Sequence, residues 1–196
     1  MPASEAWDAR YRAGAHSSTD PDTFLTSSKP WFSTLADDPA ALDLACGAGR
    51  NALWLAAQGF RTVAVDSSSE ALSIVRERAS EAALAIETSA LDLESEDVDL
   101  GLERYALIAC VQFLHRPLFP VIERALNPGG LLIFKTYTVD QLGFAGGPRN
   151  PSHLLERNEL LRRFAAWRVL RYEERRDGAG TAALLAQKPE KKASAS

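Results

Sequence analysis

The sequence predicts an α/β fold whose doubly wound, mostly parallel sheet of seven strands closes on an antiparallel hairpin. Two patterns carry this prediction. Short apolar runs alternate with helical stretches as far as residue 137, an order typical of parallel sheets covered on both faces. Near the end, two strand-like runs flank the turn signal DGAG, which favours a hairpin. The apolar runs of buried-strand length are residues 41–46, 61–66, 84–89, 105–111 and 129–137.

The stretches between these runs carry helix signals. Residues 51–59 end on a glycine suited to close a helix, residues 68–83 open on serines able to cap one, and residues 117–130 end at an Asn-Pro-Gly-Gly stop. A short helix is predicted at residues 4–14, a polar loop at 16–30 and a helix at 154–164. Residues 166–176 and 180–188 form the predicted hairpin.

Length and composition narrow the class of protein. A chain of 196 residues with 46% hydrophobic and 24% charged residues fits one globular domain. The net charge of -4 argues against general nucleic-acid binding, because each phosphate contacted needs a cation. No cationic leader and no apolar run of about 20 residues is found, so we expect a cytoplasmic protein without a membrane span. Cys46 and Cys110 have no metal-ligand spacing, and we expect two reduced thiols and no metal.

The segment LDLACGAGRN, residues 42–51, predicts a small-molecule site. Gly47 and Gly49 at a strand-to-helix turn allow a ligand to approach the backbone closely. Together with Ala52 they satisfy GxGxxA, and Asp66 follows one strand later, which alone would fit a dinucleotide. Asp43 changes the expected ligand, since its carboxylate would repel a pyrophosphate but attract ammonium and sulfonium groups. S-adenosylmethionine carries both.

Residues 42–79 resemble the first two motifs of the class I S-adenosylmethionine-dependent methyltransferases, and the likeness covers about residues 38–187. WDARY at residues 7–11 and the segment 147–164 are similar to a small bacterial branch that includes tellurite-resistance-type methyltransferases. The resemblance implies a Rossmann-like methyltransferase fold in a single domain, residues 1–188. Within it, residues 1–37 would form an N-terminal helix and lid segment, and residues 189–196 a disordered tail.

The family's cofactor contacts transfer residue by residue. Motif one, from Asp43 to Gly49, would line the methionine end of S-adenosyl-L-methionine. Asp66 would accept hydrogen bonds from the ribose, Asp92 and Leu93 would read the adenine, and the fourth strand would end beneath the transferable methyl. Ala45 departs from the family by replacing its first glycine, and the fourth strand lacks the family's frequent Asp. The predicted cofactor residues are Asp43, Ala45, Gly47, Gly49, Asp66, Ser67, Asp92, Leu93 and Cys110.

The acceptor side of the pocket is less specified. His115, just past the fourth strand, is the candidate general base. The candidate substrate residues are Tyr137, Arg149 and Asn150, with Lys135 and Arg116 as further cations. The expected acceptor is a small soluble molecule, such as a thiol or a chalcogen oxyanion. The aromatic residues of the expected lid are Trp7, Tyr11 and Trp31.

Simpler structural roles remain open for these residues. Asp66 could cap the following helix, Asp43 could bond the amides of its own turn, and Asp92 could lie in a solvated loop. Prolines 148 and 151 could make the Arg149 loop an ordinary turn. A non-catalytic S-adenosylmethionine-binding module and a nicotinamide-dependent oxidoreductase are the alternative functions.

Overall fold

A seven-stranded sheet forms the centre of the computed structural model, which describes residues 3–14, 18–35 and 37–191. The strand order is β3-β2-β1-β4-β5-β7-β6. The first five strands pair in parallel, and β7 runs antiparallel between β5 and β6. The predicted fold class is therefore confirmed. The strands are β1 Ala40–Leu44, β2 Arg61–Asp66, β3 Ile86–Ala90, β4 Tyr105–Val111, β5 Leu126–Tyr137, β6 Arg168–Arg175 and β7 Thr181–Gln187.

The helices cover both faces of this sheet. The larger core contains α5 residues and the faces of β4, β5 and β7 that contact them, while Phe24 and Leu55 pack on the other face. All seven residues of the central strand β4 are buried, as expected for a strand with neighbours and helices on every side. The helices are α1 Ala3–Arg12, α2 Thr23–Ser27, α3 Arg50–Ala57, α4 Ser69–Glu81, α5 Leu118–Ala125 and α6 Glu159–Arg163, and the 3-10 turns are Lys29–Thr34, Val139–Gly143 and Pro151–His153.

Three local predictions differ from the structure. The predicted polar loop 16–30 contains helix α2, which Asp22 caps by accepting a hydrogen bond from Phe24 N–H at 2.8 Å; residues 15–17 lie outside the described part. Of the helix predicted at 154–164 only Glu159–Arg163, helix α6, is helical, because residues 154–158 form a loop. The Asn-Pro-Gly-Gly segment belongs to β5, where a register shift against β4 accommodates it.

The N-terminal segment is tied to the sheet beneath the site. Lys135 of β5 forms a 2.8 Å ion pair with the buried carboxylate of Asp22, and the backbone N–H of Asp22 donates to Asn51 Oδ1 at 2.9 Å. Helix α3, which opens after the glycine turn, is thereby linked to β5. No helix in the described ranges is long and apolar enough to cross a membrane. Of the predicted tail 189–196, residues 192–196 lie outside the described part, and the single-domain boundary stays a prediction.

Candidate active site

A cavity of about 750 Å³ opens at the carboxyl ends of the parallel strands. This is the edge where open α/β sheets bind ligands, on either side of the point at which the strand order reverses between β1 and β4. The predicted residues that line it are Ala45, Gly47, Asp66, Ser67, Asp92, Leu93, Tyr137, Arg149 and Asn150. The predicted residues absent from its lining are Asp43, Gly49, Cys110 and His115.

Asp66 connects the two strands that flank the cofactor side of the cavity. Its Oδ2 accepts a hydrogen bond from Gly47 N–H at 2.9 Å, and its Oδ1 accepts one from Ser68 N–H at 2.9 Å. Burial raises the pKa of this carboxyl above its usual range, although both amide bonds oppose the shift. The cap of α4 is Ser68, whose Oγ accepts from Ala71 N–H at 3.1 Å. Asp66 therefore lies in the cavity wall and is not the helix cap.

Asp43 lies behind the glycine turn. Its side chain is 1% exposed and accepts a hydrogen bond from the backbone N–H of Ala52 in the first turn of α3. Its Oδ2 has no hydrogen-bond partner, and burial raises its pKa to about 7. An orphaned carboxylate oxygen one layer beneath the cavity fits a cationic ligand above it, because opposite charges attract strongly where water is excluded.

The turn itself depends on left-handed backbone. Gly47 has φ +54°, and a Cβ there would lie 2.6 Å from the Tyr11 hydroxyl oxygen. A Cβ on Gly49, φ +82°, would lie 2.7 Å from a methyl of Val75 in α4. Gly47 thus permits α1 to approach the turn, and Gly49 permits α3 to pack on α4. Ala45 also adopts a left-handed conformation, with φ +52°, where the family's glycine would be unstrained.

Helix α1 covers part of the cavity. Trp7 and Tyr11 line it, while the role of this segment as a lid stays a prediction, and Arg10 lies over the Trp7 ring at 4.6 Å. Asp8 fixes the helix by accepting a hydrogen bond from Ser68 Oγ at 2.6 Å and one from Glu70 N–H at 3.2 Å. Trp31 does not belong to this group, because it packs against the core on the other face of the sheet.

The acceptor side differs most from the prediction. His115 begins the turn into α5, where its carbonyl accepts from Leu118 N–H, and the imidazole in the cavity wall is that of His153. Arg116 is held by Glu159 in two hydrogen bonds of 2.7 and 2.8 Å, so it fixes the α6 loop. Lys135 is likewise occupied by Asp22. Both cations are therefore engaged in structural ion pairs.

Sequence reasoning missed three basic residues of the cavity lining, Arg10, Arg50 and His153. Arg10 lies within the WDARY motif and Arg50 directly follows Gly49 in GAGRN. Their positions in these motifs could have indicated that both line the cavity. His153 lies in a proline-containing loop and gave no signal, since its position depends on the 3-10 turn at Pro151.

Cys46 and Cys110 are buried and free, on or beside the neighbouring strands β1 and β4. Burial raises the pKa of both thiols, which favours their protonated form.

Comparison with known proteins supports the predicted class. Residues 41–130 match the family model of a methyltransferase domain. The predicted resemblance to S-adenosylmethionine-dependent methyltransferases is confirmed.

Two curated relatives are similar to part of the chain, and one of them is named a methyltransferase. The probable S-adenosyl-L-methionine-dependent methyltransferase TehB of Haemophilus influenzae is 27% identical over 138 residues, which cover 68% of this chain and 47% of TehB. A protein named Hemagglutinin 1 from Eikenella corrodens is 30% identical over 148 residues, covering 68% of this chain and 45% of that protein. The chain spans about half the length of these curated relatives. The crystal structure of TehB from Haemophilus influenzae has a similar fold, with a TM-score of 0.70 at 23% identity, covering 91% of this chain and 66% of that one.

Proposed function

We propose that this protein transfers the methyl group of S-adenosylmethionine to a small soluble acceptor. The observation that carries the proposal is the hydrogen bond from Gly47 to Asp66, which places a carboxylate beside the glycine turn in the wall of the cavity. The orphaned oxygen of Asp43 supports it, because a cationic ligand above the turn would compensate that buried acid.

The cofactor would lie along the β1 to β3 side of the cavity. Gly47 and Ala45 would face its methionine end, Asp66 its ribose hydroxyls, and Asp92 with Leu93 its adenine. Asp92 Oδ1 accepts from Glu94 N–H at 2.9 Å, a bond that fixes the carboxylate at the cavity wall. Asp43, Gly49 and Cys110 do not line the cavity. They would affect cofactor binding indirectly, through the shape and the charge of the glycine turn.

When bound, S-adenosylmethionine supplies an electrophilic methyl group on a sulfonium. The protein's own contribution is alignment and exclusion of water, which this type of displacement needs more than a strong acid or base. The buried side chains of Val111 and Leu114 form an apolar floor, and Trp7 and Tyr11 would cover the cofactor side. A thiol or a chalcogen oxyanion would need little help from a base. An acceptor with a less acidic proton would use His153, which replaces His115 as the candidate.

A cofactor-consumption screen tests this function. Purified protein is incubated with S-adenosylmethionine and a panel of thiols, selenite, tellurite, amines and carboxylic acids, and S-adenosylhomocysteine is quantified. We expect turnover with at least one class, and Asp66→Ala should need a higher concentration of S-adenosylmethionine for the same rate. Binding of the cofactor without turnover by any acceptor would favour a non-catalytic binding module. Tight binding of a nicotinamide cofactor without binding of S-adenosylmethionine would refute the proposal.

A further inference from the structure

Three arginines, Arg10, Arg50 and Arg149, line the cavity. The acids that line it are at the ends of β2 and β3, namely Asp66, Asp92 and Glu94, and within the described part of the chain no ion pair of 4.0 Å or less joins them to these arginines. S-adenosylmethionine has a single carboxylate, which neutralises one arginine at most. Arg10 lies on α1 beside Tyr11, whose hydroxyl meets Gly47, so it is the arginine on the methionine side. Arg50 and Arg149 therefore remain for another anion.

Arg50 belongs to a polar row that crosses the strand ends. Its Nη2 donates to Gln112 Oε1 at 3.4 Å, and Gln112 Nε2 donates to the Tyr137 hydroxyl at 3.5 Å. Arg50 and Gln112 follow β1 and β4, and Tyr137 is the last residue of β5; these three strands are neighbours in the sheet. Both bonds are long, so a ligand with better acceptors would replace them at little cost. Gln112 has φ +61°, a strained conformation that turns this residue into the row.

Arg149 is fixed in place without losing its charge. Its Nη1 donates to Leu142 O at 2.9 Å and its Nη2 to Phe144 O at 2.6 Å. Carbonyl groups orient a guanidinium but do not neutralise it. The loop after β5 thus presents a positioned positive charge at the edge of the cavity.

The floor of the same region is apolar. Val111 and Leu114 are buried there, with Phe113 beside them, whereas Gln112 and Arg149 are exposed at the rim. This division fits a ligand with an apolar body and an anionic group. An inorganic oxyanion has no apolar part to cover the floor. A neutral molecule leaves Arg149 without a carboxylate partner and Arg50 with only the charge of the buried Asp43.

We propose that the methyl acceptor is a small organic carboxylic acid, whose apolar body lies on Val111 and Leu114 and whose carboxylate is bound by Arg50 and Arg149. A carboxylate oxygen attacks the methyl carbon, so that an O–CH3 bond forms while the S–CH3 bond breaks. The products are a methyl ester and neutral S-adenosylhomocysteine, whose sulfur keeps the electron pair of the broken bond. This inference rests on the proposed function, because it assigns the acceptor half of that same cavity. Arg50 and Arg149 are then the residues that determine acceptor specificity.

Calorimetry on the protein saturated with S-adenosylhomocysteine tests this assignment. The probes are phenylacetate, its neutral isostere phenylacetamide, and selenite. We expect phenylacetate to bind at least tenfold more tightly than phenylacetamide, because a hydrogen-bonded charge pair is lost in the amide. Arg50→Gln and Arg149→Gln are each expected to weaken phenylacetate binding about tenfold and to leave phenylacetamide binding within about threefold.

The control variant is Arg175→Gln, whose arginine pairs with Asp177 in the hairpin away from the cavity, and it should bind every probe as the wild type does. Equal affinity for the acid and the amide, or no detectable binding of phenylacetate, would overturn the proposal. So would selenite binding that depends on both arginines and is tighter than phenylacetate binding. Failure of S-adenosylhomocysteine to bind would instead refute the proposed function, so the two failures are distinguishable.

Discussion

Asp66 and Gly47 are joined across two parallel strands by a hydrogen bond of 2.9 Å from the backbone N–H of the glycine to the carboxylate. Asp66 ends β2, and Gly47 lies in the turn that follows β1. One carboxylate therefore fixes the position of the turn and also lines the cavity, so the shape and the charge of this part of the cavity depend on the same side chain.

Replacement of Asp66 should separate these two effects. Asp66→Ala removes the ribose acceptor and the bond to Gly47, and we expect binding of S-adenosylmethionine to weaken by about 1 to 3 kcal/mol. Asp66→Asn keeps an amide oxygen for one backbone N–H and should lose less. Calorimetric titration measures the affinity, with Asp97→Ala, an exposed acid outside the cavity lining, as control. Unchanged affinity in Asp66→Ala would remove Asp66 from the cofactor site.

The buried carboxyl of Asp43 should make stability depend on pH. Its pKa is raised from 3.8 to about 7, so the folded protein binds a proton that the unfolded chain releases above pH 4. Stability of the cofactor-free protein is therefore full below about pH 4 and falls as the pH rises to about 7. Asp43→Asn mimics the protonated acid and removes this contribution.

Urea unfolding of both proteins at pH 5 and pH 8 measures the effect. From the lower to the higher pH, the wild type should lose roughly 1 to 3 kcal/mol relative to Asp43→Asn. The comparison cancels the titrating groups that do not interact with Asp43. Asp66 does not cancel fully, because its charge contributes to the raised pKa of Asp43. A difference that stays constant with pH would show that Asp43 is ionised throughout this range.

Ala45 should be strained where the family has glycine. A φ of +52° costs an L-residue about 1 kcal/mol of strain in the folded state. Glycine removes this strain but makes the unfolded chain more flexible, which costs slightly less free energy. Ala45→Gly is expected to leave stability unchanged or raise it by up to about 1 kcal/mol. Ala56→Gly, inside helix α3, should instead destabilise by about 1 kcal/mol. Thermal unfolding compares the two, and equal losses would contradict the strain at Ala45.

The sequence predicted the sheet more completely than the site. The apolar runs at 61–66 and 105–111 coincide with β2 and β4, because buried parallel strands must be apolar on both faces. The short helix α2 escaped prediction since it is stabilised by the Asp22 cap and by packing of Phe24 and Leu25, which local propensity does not reveal.

The same reasoning explains the acceptor side. Motif spacing placed Asp66 and Gly47 in the cavity wall because strand ends in a parallel sheet lie side by side. His115 and Arg116 were placed by proximity along the chain, but the turn into α5 removes the first from the cavity lining and Glu159 binds the second. His153 is brought in by a loop whose path depends on tertiary contacts, such as the hydrogen bonds from Arg116 to Ser152 O and Leu154 O.

Helix α1 should hold the cofactor through Asp8. The Asp8 carboxylate joins α1 to the start of α4 by accepting hydrogen bonds from Ser68 Oγ and Glu70 N–H. These bonds, of which that from Ser68 has the largest effect, lower the pKa of Asp8, so its carboxylate is ionised at neutral pH. Asp8→Ala would release the helix that carries Trp7 and Tyr11. We expect S-adenosylhomocysteine to dissociate about three to tenfold faster, because part of the cavity cover is lost while Asp66 and the glycine turn remain.

Stopped-flow fluorescence measures this rate, since Trp7 lines the cavity and should respond to the ligand. Glu5→Ala on the same helix is the matched control, because Glu5 is exposed and lies outside the cavity lining. A slower association with an unchanged dissociation rate would mean that α1 guides the cofactor inward without retaining it. Unchanged rates in both directions would mean that α1 packs on α4 without acting as a lid.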